Sequence, residues 1–216
     1  MTDTTRPRRR VRWWWFVVGA LVVVIALVAV VAVPILTHRD QGSSNQEQAA
    51  EEWPLTVTAT GDDGRTRSFD VLSDEPGGTV DTSALEPGQH LVVSGTGYDG
   101  ARGIYVAICR IPDPGAKPGP CLGGVPSTEG EAVAEGTVQW APSNWINDDW
   151  AWRLFGARSY DDVAGGTFTA YLEVPVAADE NVDCTVDACG IFTRNDHTAA
   201  ADRVQDLYVP VAFAAQ

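Results

Sequence analysis

The sequence lacks the positive charge that nucleic-acid-binding proteins carry. Its 216 residues include 15 Lys and Arg against 29 Asp and Glu, for a net charge of −14. Residues 37–216 hold ten basic and 28 acidic side chains, whereas residues 1–36 hold five Arg and one Asp. A basic surface is needed to displace counterions from phosphates, so we expect no nucleic-acid partner. The difference between the two segments predicts that they face different environments.

The chain also lacks the motifs of common enzymes and metal sites. It has no GxSxG nucleophile motif, no CxxC pair and no acidic run with the DxDxDG spacing of a calcium loop. No Gly-rich phosphate loop follows a predicted strand and opens a helix. We therefore expect a protein that is not an enzyme and that holds neither a metal nor a cofactor.

Charge is missing altogether from residues 13–36, which read WWWFVVGALVVVIALVAVVAVPIL. At about 1.5 Å per residue, a helix of this length spans roughly 36 Å, enough to cross a hydrocarbon core of about 30 Å. Five Arg lie in residues 1–12, so the positive-inside rule predicts a cytoplasmic basic tail, a transmembrane helix and an extracellular remainder. The sequence therefore predicts a single-pass protein of the cell membrane.

A cleavable signal peptide is the alternative interpretation of this segment. Signal peptides share the charge layout but have a shorter apolar region, and Ala29 or Ala32 supplies a small residue for cleavage. The length of the apolar run, with Pro34 inside it, favours an uncleaved anchor. Under both interpretations the rest of the chain is exported.

Short β-rich runs punctuated by Gly, Pro and Asp dominate the exported part, which lacks long helical periodicity. Residues 37–52 are almost entirely polar and predict a flexible linker. Residues 53–76 predict a β-hairpin appendage, and residues 77–216 predict an antiparallel β-sandwich with at most one short helix near residues 148–155. The predicted strands cover residues 55–59, 68–72, 78–82, 90–96, 103–111, 132–140, 167–176, 188–193 and 206–213.

Four cysteines follow the apolar run: Cys109, Cys121, Cys184 and Cys189. An even number in an exported chain favours disulfides, and four cysteines allow three pairings. The local pairing closes two short loops, each worth about 2–3 kcal/mol in the chain-entropy model.

Several segments resemble the neocarzinostatin-like immunoglobulin-type domain over about residues 78–213. They are LEPGQHLVVSGTGY, GIYVAICRI, VDCTVDACGIF and YVPVAF, and the GxYVxxC, CTxxxC and RNDHT patterns are similar to those of actinobacterial cell-surface domains, some of which accompany haem-uptake modules. The resemblance implies a β-sandwich of about seven strands with two local disulfides. It also implies a ligand cleft near the first disulfide, although Ile111 and Gly119 stand where the family has Trp and Leu.

One aromatic-rich segment is left unexplained by the sandwich. Five large rings lie within sixteen residues, at Trp145, Trp150, Trp152, Phe155 and Tyr160. They form either a candidate binding patch for a ligand, glycan or protein, or a plug that closes one end of the sandwich. Because exposed Trp is unfavourable in water, the plug is the favoured interpretation.

A second candidate site is the RNDH run. In it, Asp beside His suggests acid–base chemistry, but adjacent strand residues point to opposite faces. A structural turn in which the polar side chains bond to the backbone is therefore favoured. Its residues are Arg194, Asn195, Asp196 and His197.

The sequence as a whole favours a membrane-anchored extracellular module that binds a partner or interacts with the envelope, without catalysis. The alternative is a carrier or receptor accessory for haem or another small apolar ligand, held in the cleft near Cys109 and Cys121. A third interpretation is an envelope hydrolase that uses His197 and a nearby acid.

Overall fold

The chain divides into two compact units, the first of which contains an apolar N-terminal helix. The computed structural model describes residues 13–47, 51–124 and 138–215, and it divides into one unit up to residue 38 and another from residue 39. The first unit contains helix α1, Trp13–Thr37, whose most apolar stretch of 18 residues has a mean hydropathy of 3.3. By length and composition this helix is able to cross a membrane. The prediction of one N-terminal apolar helix is confirmed.

The second unit consists of two four-stranded antiparallel sheets with strand orders β1-β2-β3-β6 and β5-β4-β7-β8. This arrangement confirms the all-β, antiparallel sandwich, and residues 51–124 and 138–215 form eight strands where about seven were expected. The elements are β1 Thr56–Thr60, β2 Thr66–Ser73, β3 His90–Thr96, β4 Ile104–Arg110, β5 Ser143–Ile146, α2 Trp150–Arg153, β6 Phe168–Glu173, β7 Cys189–Asn195 and β8 Tyr208–Val211.

The core lies between the two sheets and follows from the two-residue period of the strands. In β4, Ile104, Val106 and Ile108 are fully buried against the other sheet. Tyr105 and Cys109 alternate with them and lie on the outer face of the second sheet. Burial of an aliphatic side chain of this size contributes about 1.5–3 kcal/mol, so the inner faces supply most of the stability.

The loops of the sandwich gather at two opposite ends. Strand β4 begins where β5 and β7 end, because Ile104 pairs with both Ile146 and Asn195. We call this the His197 end; it holds the loops at residues 61–65, 97–103, 147–167 and 196–207. We call the opposite end, where β7 begins, the Cys184 end; it holds the loops at residues 74–89 and 174–188.

Several strand assignments differ from the sequence expectation. The β1–β2 hairpin, expected as an appendage, forms one edge of the first sheet, because β2 pairs with β3 from Ser68 to Ser73. Strand β5 was not predicted, and it completes the second sheet by pairing with β4. No strand forms at residues 78–82 or 138–140, and the remainder of the predicted run at 132–140 lies outside the described residues.

Both disulfides are local, as the resemblance implied. Cys109 bonds to Cys121 and Cys184 bonds to Cys189, with sequence separations of 12 and 5 residues. The first disulfide closes the loop that follows β4, and the second closes the turn that leads into β7. Each therefore limits the unfolded chain next to a strand of the second sheet.

Part of the predicted polar linker is bound to the sandwich. We call residues 43–46 the docked segment. Ser43 exchanges hydrogen bonds with the turn between β1 and β2, donating its N–H to Oδ2 of Asp62 over 2.8 Å and accepting the Asp62 N–H over 3.0 Å. The side-chain amide of Gln46 accepts the N–H of Tyr208 and donates to its carbonyl oxygen, both over 2.7 Å. The docked segment thus lies between the turn of the first sheet and the edge strand β8.

Candidate functional site

The aromatic-rich segment places an exposed apolar surface at the His197 end. Asp149 caps helix α2 by accepting the N–H of Ala151 over 2.9 Å. Three large apolar side chains on and after this helix are exposed, with fractions of 67% for Trp150, 73% for Leu154 and 55% for Phe155. We call these three residues the α2 surface. Exposed apolar groups that cluster in this way are typical of interaction sites.

The five aromatic residues predicted as one patch divide into two groups. Trp145 and Tyr160 are buried, and each has a hydrogen-bond partner. The hydroxyl of Tyr160 donates to the carbonyl oxygen of Arg102 over 2.8 Å, and burial raises its pKa well above the usual range. Trp152 is half-buried, whereas Trp150 and Phe155 are exposed. The segment therefore both closes the end of the sandwich and presents apolar side chains to solvent.

Aromatic rings packed around His197 contact helix α2 on the side that faces the sandwich. The edge of Trp152 meets the His197 ring at a centroid distance of 4.7 Å, and Trp145 meets the same ring at 5.4 Å. The Tyr105 hydroxyl lies 3.0 Å from Nδ1 of His197. Burial raises the pKa of Tyr105 to about 12, with a further contribution from the Asp196 carboxylate. These contacts fix α2 against strand β4 and the β7–β8 loop.

Asp196 is bonded to groups other than the adjacent His197. Its Oδ2 accepts the indole N–H of Trp145 and the amide of Asn147, both over 2.9 Å. Its Oδ1 accepts the N–H and the hydroxyl of Thr198, over 2.8 and 2.6 Å, and so caps the 3-10 turn at His197–Ala199. The carboxylate therefore organises the loop, and it makes no contact that would orient the imidazole as a base.

The other polar side chains of the RNDH run, Arg194 and Asn195, also form structural hydrogen bonds. Arg194 donates to the carbonyl oxygen of Pro118 over 3.0 Å, and its guanidinium lies 5.6 Å from the centre of the Tyr105 ring. Asn195 is buried, donating to the carbonyl oxygen of Asp202 over 3.1 Å and accepting from Gln205 over 2.7 Å. The Arg194 bond therefore holds the loop at residues 111–118, and the Asn195 bonds hold the β7–β8 loop against the sheet.

The outer face of the second sheet contains a cavity of about 250 Å³. Its floor is formed by the rings of Phe192 and Tyr208, which stack with centroids 4.7 Å apart. The loop at residues 111–118, closed by the first disulfide, forms one wall, and the docked segment forms another. The cavity is thus near the Cys109–Cys121 loop, close to which the resemblance implied a ligand cleft.

A buried carboxylate lies beside this cavity. Asp206 accepts from Arg203 over 2.7 Å through Oδ2, while its Oδ1 is buried and receives no hydrogen bond from any residue that the structure describes. Burial raises the pKa of Asp206 to about 7, even though Arg203 and Arg194 favour the ionised form. An unpaired buried acceptor is unfavourable, so this oxygen would gain from a ligand that donates a hydrogen bond.

The remaining histidine of the sandwich lies elsewhere. His90 stacks on Trp140 at a centroid distance of 4.1 Å, and its Nδ1 is 3.7 Å from a carboxylate oxygen of Asp74. Within residues 13–47, 51–124 and 138–215, no group of three or more His, Cys, Asp or Glu side chains is arranged to hold a metal ion.

Sequence reasoning missed three parts of these sites. Leu154 was not recognised as part of the exposed surface, although it lies between two of the predicted aromatic residues. The Tyr105–His197 pair joins residues 92 positions apart, and no local pattern connects them. The docked segment is polar throughout, and its contacts depend on side-chain geometry that composition does not reveal.

Comparison with known proteins gives a likeness among the solved structures. No family model matches the sequence, and no curated protein matches it. Among solved structures, the chain is similar to macromomycin, a protein of the neocarzinostatin family, with a TM-score of 0.37 and 19% sequence identity. The match covers 68% of this chain and 99% of that chain.

Proposed function

We propose that the protein is a membrane-anchored module whose β-sandwich binds a partner outside the cell, without catalysis. The proposal rests on the α2 surface. Its three apolar side chains are exposed, and the helix that bears them packs against the His197 ring through Trp152. A free surface of this kind is unfavourable in water unless it has a partner. Helix α1 supplies the anchor, and the two disulfides suit an oxidising compartment.

The proposed topology rests on charge and is testable on the full chain. The Arg-rich residues 1–12 remain in the cytoplasm, and the sandwich is extracellular. Single cysteines introduced by Thr5→Cys and Val186→Cys report on the two sides, because Val186 is 81% exposed. In intact cells, a membrane-impermeant maleimide is expected to label position 186 and to label position 5 only after lysis. The reverse pattern would refute the orientation, and a chain released from alkaline-washed membranes would refute the anchor.

Binding through the α2 surface is tested by crosslinking from within it. A photoactivatable group attached to Leu154→Cys is expected to form adducts in intact cells that the same group at Val186→Cys does not form. Both parent residues are apolar and exposed, so the pair is matched in chemistry. Identical adduct patterns at the two positions would show that the α2 surface has no particular partner.

The cavity beside Asp206 supports a second function, the carriage of a small ligand. Stacked Phe192 and Tyr208 suit a planar apolar molecule, and the unpaired Oδ1 of Asp206 suits a donor group on it. Haem fits poorly, because about 250 Å³ lies below the roughly 300–1,000 Å³ of drug-sized sites. The favoured ligand is therefore a smaller ring system that carries an amine.

Tryptamine and indole-3-propionate are suitable probes, since they share a ring and differ in charge. Tryptamine is expected to raise the melting temperature of the full chain in detergent, and indole-3-propionate is not. Asp206→Asn is expected to abolish the difference between the two probes. Equal shifts of the melting temperature with both probes in the native chain would show that Asp206 does not select the ligand. No shift with either probe would refute the ligand-carrier function.

A further inference from the structure

The α2 surface has the composition of an interfacial membrane contact. It combines Trp, Leu and Phe, and Arg153 lies within the same segment. Residues 150–160 contain two Arg and no acidic side chain, although the domain around them is strongly acidic. Apolar side chains flanked by Arg suit the boundary between headgroups and acyl chains, where rings and aliphatic groups are buried and guanidinium groups meet phosphates.

The chain that leads from α1 joins the sandwich at the end that carries the α2 surface. Ser43 pairs with Arg203 in the β7–β8 loop, and Arg203 donates to the carbonyl oxygen of Ala200. The 3-10 turn before Ala200 begins with His197, whose ring contacts Trp152 of α2. The attachment point and the α2 surface therefore both belong to the His197 end.

The two ends of the sandwich also differ in charge. The loops of the Cys184 end at residues 74–89 and 174–188 contain eight acidic side chains and no Lys or Arg. The four loops of the His197 end contain ten Asp and five Arg, so their acidic charge is partly balanced. Lipid phosphates repel an acidic surface, so the Cys184 end is the less suitable of the two for contact with a bilayer.

We propose that the α2 surface inserts into the lipid interface of the membrane that α1 spans, as a second contact of the protein with that membrane. The inference names the partner of the surface and rests on the proposed function. Only residues 38–42 lie between α1 and the docked segment, and a chain of this length extends at most about 20 Å. A bilayer that holds α1 is thus within reach of the His197 end.

The test uses the full chain reconstituted in vesicles of phosphatidylcholine and phosphatidylglycerol. An environment-sensitive NBD dye is attached, without reduction of the native disulfides, to Leu154→Cys and separately to Val186→Cys. At position 154 we expect a blue-shifted emission and a loss of intensity when the vesicles contain doxyl-labelled lipid. At position 186 we expect neither change. Unchanged near-ultraviolet circular dichroism in both labelled chains controls for folding.

A charge variant adds a second readout. In the Leu154→Cys chain, Arg153→Glu is expected to weaken quenching by doxyl-labelled lipid, and the weakening should be larger with phosphatidylglycerol than with phosphatidylcholine alone. Absence of quenching at position 154 in a chain that remains anchored after alkaline washing would overturn the lipid contact while leaving the anchor intact. Protein or glycan adducts from position 154, without quenching, would assign the surface to an extracellular partner instead.

Discussion

Trp145 donates its indole N–H to Oδ2 of Asp196 over 2.9 Å, and this bond joins strand β5 to the β7–β8 loop. The same carboxylate oxygen accepts from Asn147, which leads toward α2. A Cβ at Gly103 would collide with the carboxylate, so only glycine fits where the loop before β4 passes it. A single buried side chain therefore positions three of the segments that form the His197 end.

Replacing this carboxylate should be strongly destabilising. Asp196→Ala leaves the donors of Trp145, Asn147 and Thr198 without their acceptor, and each unsatisfied buried group costs about 1–3 kcal/mol. We expect the free energy of unfolding in urea to fall by about 3–5 kcal/mol. Asp161→Ala removes a single exposed bond to Thr169 and should cost less than about 1 kcal/mol. Equal effects of the two variants would contradict the central role of Asp196.

The sheets were largely predictable because their strands have buried inner faces. In β4 the two-residue alternation of Ile104, Val106 and Ile108 predicts both the strand and the face that is buried. Strand β5 escaped prediction because its four residues, Ser143–Ile146, include only two apolar side chains. They are extended because the backbone of β4 pairs with them, which is a tertiary effect.

The candidate sites were less predictable, for two physical reasons. The aromatic segment was recognised from composition, but composition does not separate buried Trp145 from exposed Trp150, since burial depends on what packs above each ring. The cavity beside Asp206 is assembled from four separate segments, including residues 43–46, and no sequence window contains them together. The sequence therefore indicates the segment that carries the α2 surface, but it does not indicate which residues form the walls of the cavity.

The buried ion pair of Arg67 and Asp63 offers a test of core energetics. Arg67 is fully buried beside the Tyr98 ring and forms a two-point contact with Asp63 in the turn between β1 and β2. Asp63→Ala leaves an unpaired buried guanidinium and should lower the free energy of unfolding by about 3–5 kcal/mol. The double variant Asp63→Ala, Arg67→Met should recover most of this loss, because no buried charge remains. Urea unfolding measures the free energy of unfolding of both variants. If the double variant is as unstable as Asp63→Ala, the unpaired charge of Arg67 is not the cause of the destabilisation.

A single substitution at Gln46 should release the docked segment from strand β8. In Gln46→Glu, a carboxylate oxygen replaces the amide that donates to the Tyr208 carbonyl oxygen, so a favourable bond becomes a repulsion. We expect faster hydrogen exchange at the Tyr208 N–H, which donates to the same side chain. Protection should return below a pH of about 4.3, where a protonated Glu donates again. The exposed neighbour supplies the control, Glu47→Gln, which should leave exchange at Tyr208 unchanged at both pH values.

The raised pKa of Asp206 predicts a specific dependence of stability on pH. Its folded-state pKa of about 7 lies above the value of about 3.9 in the unfolded chain. Between these two values the folded state binds the proton that the unfolded state has released, so the carboxyl group destabilises the fold increasingly as the pH rises from 4 toward 7. Above the folded-state pKa its contribution is constant.

Asp206→Asn removes the titrating group. The free energy of unfolding should then change less with pH than in the native chain, where the slope has an upper limit of about 1.4 kcal/mol per pH unit. Urea unfolding of the full chain in detergent at several pH values between 4.5 and 8 measures it. The exposed Asp113 lines the same cavity, so Asp113→Asn removes the same charge without removing a buried carboxyl. We expect the Asp113 variant to keep the slope of the native chain. A slope that persists in Asp206→Asn would place the responsible group elsewhere, whereas its loss in that variant alone would identify Asp206 as the carboxyl that couples the cavity to pH.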